Sequence, residues 1–172
     1  VLPAVSASSE RCGNLARFTS KLADVVRIPE PVRADLSLNE LVRSVDALTR
    51  IECRKRNISL SLSLADPDTI IRADGIQLEQ VLVNIVKNAY EAIGHDGRIR
   101  IVTTADPPSV TVEDNGPGIP EEIRKQLFTP FFTTKPSGQG IGLMFVREVL
   151  NNHRMAFSLT SQNGCTRFEI SV

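Results

Sequence analysis

The sequence predicts an α/β fold, and three observations carry that prediction. Residues Ile58 to Leu64, ISLSLSL, alternate strictly between apolar and polar, the period of a half-buried strand. From Leu78 to Ile93 the apolar side chains instead recur at helical spacing. Near the end, FSLTS, QNG and CTRFEISV read as two strands closed around Asn163-Gly164. The chain of 172 residues has the length of one ordinary domain with a small appendage.

Taken in order, Leu15, Phe18, Leu22 and Val25 recur with steps of three, four and three, the seam of a helix packed on another helix over about Ser9 to Ile28. Pro29 and Pro31 then stop that helix and set a boundary. Ser37 with Glu40 spells a capping box, followed by one apolar helical face of Leu38, Leu41, Val42, Val45, Leu48 and Ile51, so a helix is expected to about Arg56. After the ISLSLSL strand, ADPD turns the chain into a short strand, TIIRA. Asp74 and Gln77 cap the next helix, whose stripe is Leu78, Val81, Leu82, Ile85, Val86, Ala89 and Ile93, and GHDG ends it. RIRIVTT and SVTVE are two more strands. The stretch from DNGPGIP to PSGQG is long and rich in glycine, proline and threonine, and a long loop inside a compact domain usually has a function. A helix is expected from Ile141 to about Asn152, before the closing hairpin.

Composition excludes several classes. An apolar fraction of 41% with ten glycines argues against disorder. No apolar run approaches the roughly 18 residues of a spanning helix, and the opening VLPAVSASSERCG lacks the layout of a signal peptide, so this chain is expected in the cytoplasm, whether or not the full-length protein is membrane-anchored. Twenty basic against twenty acidic residues remove the simplest electrostatic case for a nucleic-acid partner. Cys12, Cys53 and Cys165 are odd in number and far apart, and read as reduced thiols.

Four elements carry chemistry. Asn84 and Asn88 stand four apart, so both amides project from one side of their helix. They either hydrogen-bond backbone within the fold or ligate a hard cation such as Mg²⁺. Asp114-Asn115-Gly116-Pro117-Gly118-Ile119 follows a strand directly; it is ordinary turn chemistry, or it fixes a carboxylate that accepts a hydrogen bond from an exocyclic amine such as adenine's. Gly138-Gln139-Gly140-Ile141-Gly142-Leu143 precedes a helix, where glycines let phosphate oxygens approach free N–H groups. It is not a Walker loop, and no strand ends before it as a dinucleotide fingerprint requires. Between them, Phe128-Thr129-Pro130-Phe131-Phe132-Thr133-Thr134-Lys135 holds three of the seven phenylalanines, either as a local cluster or as a hinged lid with Thr133, Thr134 and Lys135 facing phosphates.

These elements, in this order, resemble the ATP-binding domain of sensor histidine kinases, in the ATPase superfamily that includes DNA gyrase, heat-shock chaperones and MutL. Asn84 to Ala92 is similar to the asparagine box, DNGPG to the first glycine box, FTPFFTTK to the phenylalanine box and GQGIGL to the second glycine box. NGCTRF at Asn163 to Phe168 resembles the closing glycine-threonine-phenylalanine segment. The likeness covers almost everything after Asp35. Upstream, RFTSKLADVVRIPEPV resembles the second helix of the dimerisation domain in the nitrogen-regulatory branch.

The resemblance implies a two-layer α/β sandwich, a mixed sheet with helices on one face and an ATP lid between the glycine boxes. Residues 1–30 would be the last helix of a dimerisation and phosphoacceptor hairpin, and residues 31–172 the ATP-binding domain. Asn88 would be the principal Mg²⁺ ligand with Asn84 assisting, and Asp114 the adenine acceptor framed by Gly116 and Gly118. Gly138, Gly140 and Gly142 would bring backbone to the phosphates, with Ile119 to Gln139 as the lid. Nucleotide contacts are further expected from Ile119, Phe132, Thr133, Thr134, Lys135, Gln139, Ile141 and Leu143, and Asn84, Asn88 and Lys135 would support catalysis. The chain departs from the commonest pattern at Glu91-Ala92, which resembles the branch reading Asn-Ala-x-Glu-Ala. It departs again at His153-Arg154-Met155, where relatives often read His-Gly-Gly, so that turn is expected to differ.

Hydrolysing members of the superfamily carry a glutamate at the position of Asn84, and an amide cannot act as a general base. Phosphoryl transfer to a side chain needs mainly positioning and charge neutralisation. The acceptor is absent, because His95 and His153 lack the helical His-acid context of a phosphoacceptor and read as structural or solvated. The expectation is a catalytic piece of a longer, homodimeric sensor that phosphorylates its own hairpin and then a response regulator receiver domain. The alternatives are an ATP-hydrolysing module and an ATP-switched protein-binding module.

Overall fold

Residues 28–129, 131–134, 140–162 and 164–172 are described by a computed structural model. The helix expected over about Ser9 to Ile28, with Cys12, lies outside them, as do Lys135, Gly138, Gln139 and Asn163. The described elements are β1 (Ala34–Ser37), α1 (Leu38–Lys55), β2 (Ser59–Ser63), β3 (Ile70–Ala73), α2 (Gly75–Ile93), β4 (Arg98–Ala105), β5 (Pro108–Asp114), α3 (Glu121–Arg124), α4 (Gly142–His153), β6 (Ala156–Gln162) and β7 (Cys165–Ser171).

Both caps read from the sequence form. The Ser37 hydroxyl oxygen accepts the Glu40 N–H at 3.0 Å and gives its own proton to Asp68. Asp74 Oδ1 accepts the Gln77 N–H at 3.0 Å at the start of α2, and Gly94 closes the far end. Such caps satisfy backbone donors that the first turn leaves without partners.

Five strands form a mixed sheet in the order β2-β4-β5-β7-β6, with β2 and β4 parallel and every other pair antiparallel. Helices α1, α2 and α4 lie side by side on one face, α2 in the middle. Val42 and Val45 of α1, Leu82 and Val86 of α2, and Val146 and Leu150 of α4 meet Ile99, Ile101, Val110, Val112, Phe168 and Ile170 of the sheet in the core. The other sheet face carries Ser59, Ser61, Arg98, Arg100, Glu113 and Arg167, the polar half of each alternation, and Arg167 pairs with Glu113 at 3.3 Å. This is the expected two-layer sandwich.

Four details differ from expectation. Leu48 and Ile51 are 59% and 65% exposed. The core positions of α1 run through Leu41, Val45, Thr49 and Cys53, spaced i to i+4, and Leu48 and Ile51 fall to one side of that line. The link after Pro31 holds a strand, β1, antiparallel to β3 with Ala34 opposite Ala73. The long loop contains α3, a single helical turn. The turn after α4 keeps the left-handed geometry usual for glycine, with Arg154 at φ 60° and ψ 31°.

Candidate functional site

The buried stripe of α2 fixes the helix against the sheet, leaving Asn84 and Asn88 half-buried on its flank. Asn84 donates from Nδ2 to the Gln80 carbonyl at 2.9 Å, one turn back. That bond directs its amide oxygen at the start of α4, where a β-carbon on Gly142 would stand 3.4 Å from Oδ1. Among the described residues no side chain caps the first turn of α4, whose leading N–H groups have no acceptor within the helix itself. Asn84 and Gly142, far apart in sequence, thus meet on the flank of α2, with Ile141 and Leu143 half-buried on either side of Gly142.

The Asp114 turn lies where α2 stops. Asp114, 8% exposed, closes β5, and its Oδ1 accepts the Gly116 N–H at 2.9 Å. Burial pushes its carboxyl above the ordinary value of 3.8, and the Gly116 N–H opposes this only in part. A carboxylate oxygen accepts more than one hydrogen bond, so Asp114 keeps acceptor capacity for a donor. A β-carbon on Gly116 would lie 2.9 Å from Asp114 Oδ1 and 3.5 Å from Ile93, so the turn sits tightly between strand and helix end. Asn115 has a structural role, its Oδ1 accepting the Arg98 N–H at 2.6 Å and tying the turn to β4. Gly118 takes φ +80°, and the following Ile119 N–H donates to the Ser161 hydroxyl at 2.8 Å.

Gly116 meets α2 at Ile93 and Gly142 meets it at Asn84. Nine residues separate those contacts, about 13 Å along the axis at ~1.5 Å per residue. The Asp114 turn and the start of α4 therefore stand about that far apart along the flank of α2.

The loop joining the glycine boxes is rooted on the sheet. Phe128 packs on Phe157 at 5.3 Å and Phe168 at 6.4 Å between ring centroids, while Phe157 and Phe168 stack at 5.8 Å. Phe132 is half-buried, whereas Phe131, Thr133 and Thr134 are exposed. Gly140, at φ +67°, touches the Phe131 backbone so closely that a β-carbon would stand 2.7 Å from the Phe131 Cα, which ties the C-terminal end of the loop back to Phe131 within it. Ser161 escaped the sequence reading, although the alternation Phe157, Leu159, Ser161 placed it on the same sheet face as the core.

Of the histidines, His95 is exposed and His153 is 7% exposed. His153 Nε2 accepts the Asp74 N–H at 3.1 Å, so Nδ1 carries the proton and donates it to the Val149 carbonyl at 2.8 Å. Its role is structural.

Residues 73–172 match the family of histidine kinase-, DNA gyrase B- and HSP90-like ATPases. The catalytic domain of histidine kinase ThkA, in a nucleotide-free form, is 34% identical and superposes with a TM-score of 0.75 over 81% of this chain and 94% of that one. The chain therefore belongs to this family and is an ATP-binding catalytic domain of the histidine-kinase kind. ThkA in complex with response regulator protein TrrA matches 95% of this chain and 48% of that one, at 27% identity and a TM-score of 0.74. Sporulation kinase A of Bacillus subtilis is 34% identical over 165 residues, 91% of this chain and 27% of that protein. The chain spans about a third of the length of the curated relatives it matches. No helix among the described residues is long and apolar enough to cross a membrane.

Proposed function

We propose that this domain binds Mg·ATP between α2 and α4 and serves a sensor histidine kinase of the nitrogen-regulatory branch. The γ-phosphoryl passes to a histidine outside this chain and then to an aspartate of a response regulator receiver domain. The observation that carries the reading is the approach of the Asn84 amide oxygen to Gly142, with Asp114 at the other end of the cleft.

In this reading Asp114 accepts a hydrogen bond from the adenine amine and Gly116 and Gly118 frame the base. Asn84 and Asn88 supply neutral oxygen ligands, with Asn88 the principal one, suited to a small hard cation that keeps phosphate and water oxygens in its shell. When bound, Mg²⁺ neutralises phosphate charge. The open N–H groups at the start of α4, together with Gly138, Gly140 and Gly142, hold phosphate oxygens. Thr133, Thr134 and Lys135 contribute donors and a positive charge from the lid. Asn84, lacking a basic site, takes no proton from water, which favours transfer to a side chain over hydrolysis.

Residues 1–30 then belong to the dimerisation and phosphoacceptor hairpin and residues 31–172 to the ATP-binding domain. The segment RFTSKLADVVRIPEPV supports both this division and the branch. A homodimer on the cytoplasmic side of the membrane, signalling to a receiver domain, is the matching assembly. The ThkA–TrrA complex supports that partner. Calorimetric titration tests the site: Asn88→Ala is expected to abolish Mg²⁺-dependent ATP binding, and an unchanged affinity would overturn the assignment.

A further inference from the structure

On β5, β7 and β6 the apolar face of the sheet turns polar in its last row, while Ile99 of β4 and Leu60 of β2 keep that row apolar. Val112, Phe168 and Leu159 stand in register across β5, β7 and β6, and the next row on the same face is Asp114, Thr166 and Ser161. Ser161 is half-buried there, and its hydroxyl oxygen accepts the Ile119 N–H at 2.8 Å. The same oxygen would stand 2.9 Å from a β-carbon on Gly118, so the turn is seated directly on it.

We propose that Ser161 is a positioning residue for nucleotide recognition. It pins the Gly118–Ile119 backbone and so sets where the base pocket ends and the lid begins. The proposal rests on the reading of this cleft as the ATP site. Its physical basis is the cost of the alternative. Without the hydroxyl, a backbone N–H at the edge of the pocket loses its partner, and the turn must move toward water to regain one. Gly118 and Gly116 belong to the same short turn, so that movement also alters the backbone contact on which the Asp114 carboxylate depends. Affinity for the base that Asp114 reads should suffer more than affinity for phosphates.

The test uses the 172-residue chain with Ser161→Ala, which removes the acceptor, and Ser161→Thr, which keeps it. ATP and GTP are titrated calorimetrically well below the thermal midpoint, and Ile119 amide exchange is followed in parallel. Ser161→Ala is expected to weaken ATP about five- to tenfold, with GTP changed less than about twofold, and to speed Ile119 exchange. Ser161→Thr is expected to restore the ATP affinity to within about twofold. A merely structural role would lower the thermal midpoint and leave the ATP-to-GTP ratio unchanged; that outcome, or an unchanged ATP affinity in Ser161→Ala, overturns the proposal. If the unsubstituted chain binds no ATP, the reading of the cleft fails with it, which separates the two failures.

Discussion

A β-carbon on Gly142 would stand 3.4 Å from the amide oxygen of Asn84, so the helix that carries the asparagine pair and the helix that follows the second glycine box meet at one point. The bond from Asn84 Nδ2 to the Gln80 carbonyl fixes which atom of the amide faces that point. Each motif alone is compatible with ordinary structure. Their meeting point is what the proposed Mg·ATP site rests on.

Gly142→Ala should separate binding from folding. The added methyl makes an ordinary contact with Asn84 and sits in a helix, where alanine is favoured over glycine by about 0.5–1 kcal/mol. The thermal midpoint should hold or rise, while Mg·ATP affinity falls about tenfold or more because the methyl occupies the approach to the α4 N–H groups. Melting curves with and without nucleotide check this.

Asp114→Asn should change which base is preferred. Burial raises the Asp114 carboxyl above 3.8 in the folded state, so the folded chain holds this proton more tightly than the unfolded one. Stability is therefore lost as pH rises from below 3.8 through the folded value, and Asn removes that loss. At pH 7 the free variant should be at least as stable as its parent. Its ATP affinity should fall about tenfold, as a charged acceptor becomes a neutral one, and its ATP-to-GTP ratio should shrink. Calorimetry with both nucleotides and melts at several pH values report both effects.

Asp74 titrates in the opposite sense. Burial alone would raise its carboxyl, but the N–H groups of Gln77, Val32 and Ile76, with His153 nearby, together hold it below 3.8. A depressed folded value means stability present above the unfolded value and lost as pH falls through the folded one. Asp74→Asn keeps a competent cap oxygen but faces the Val32 N–H with a donor, and should cost about 1–2 kcal/mol at pH 7. The difference from the parent should shrink below about pH 4 and vanish below the folded value. Chemical denaturation across pH 2–7 measures it.

Arg154→Gly should stabilise the fold. A residue with a β-carbon in the left-handed region costs about 1–2 kcal/mol, partly offset by the entropy that glycine loses on folding. The net gain of about 0.5–1 kcal/mol corresponds to a rise of roughly 2–3 °C in Tm.

Most strands and the three long helices were legible because each sets its apolar residues on one face, which writes its period into the sequence. β1 was not, because ADLS is four residues long, lies just after Pro29 and Pro31 and holds one apolar β-former, Leu36. Leu48 and Ile51 misled because helical spacing says that residues share a side but not how wide the buried side is. The asparagine and glycine boxes were readable as a set through their resemblance to a family. Ser161 was not, since the alternation puts it on the core face but only register sets it opposite Thr166, one strand from Asp114 in the same row. The hydrogen bond of His153 to Asp74 joins the end of α4 to the start of α2, and no local pattern announces such a bond.

The most direct test of the central claim incubates this chain, and a form extended at its N-terminus through a His-acid helix, with γ-labelled Mg·ATP. Acid-labile label bound to protein is scored against released phosphate. Label on the extended form alone, with little phosphate released by either, is the expected result. Phosphate released by both forms with no labelled protein would contradict it, and would mean that Asn84 does not prevent hydrolysis.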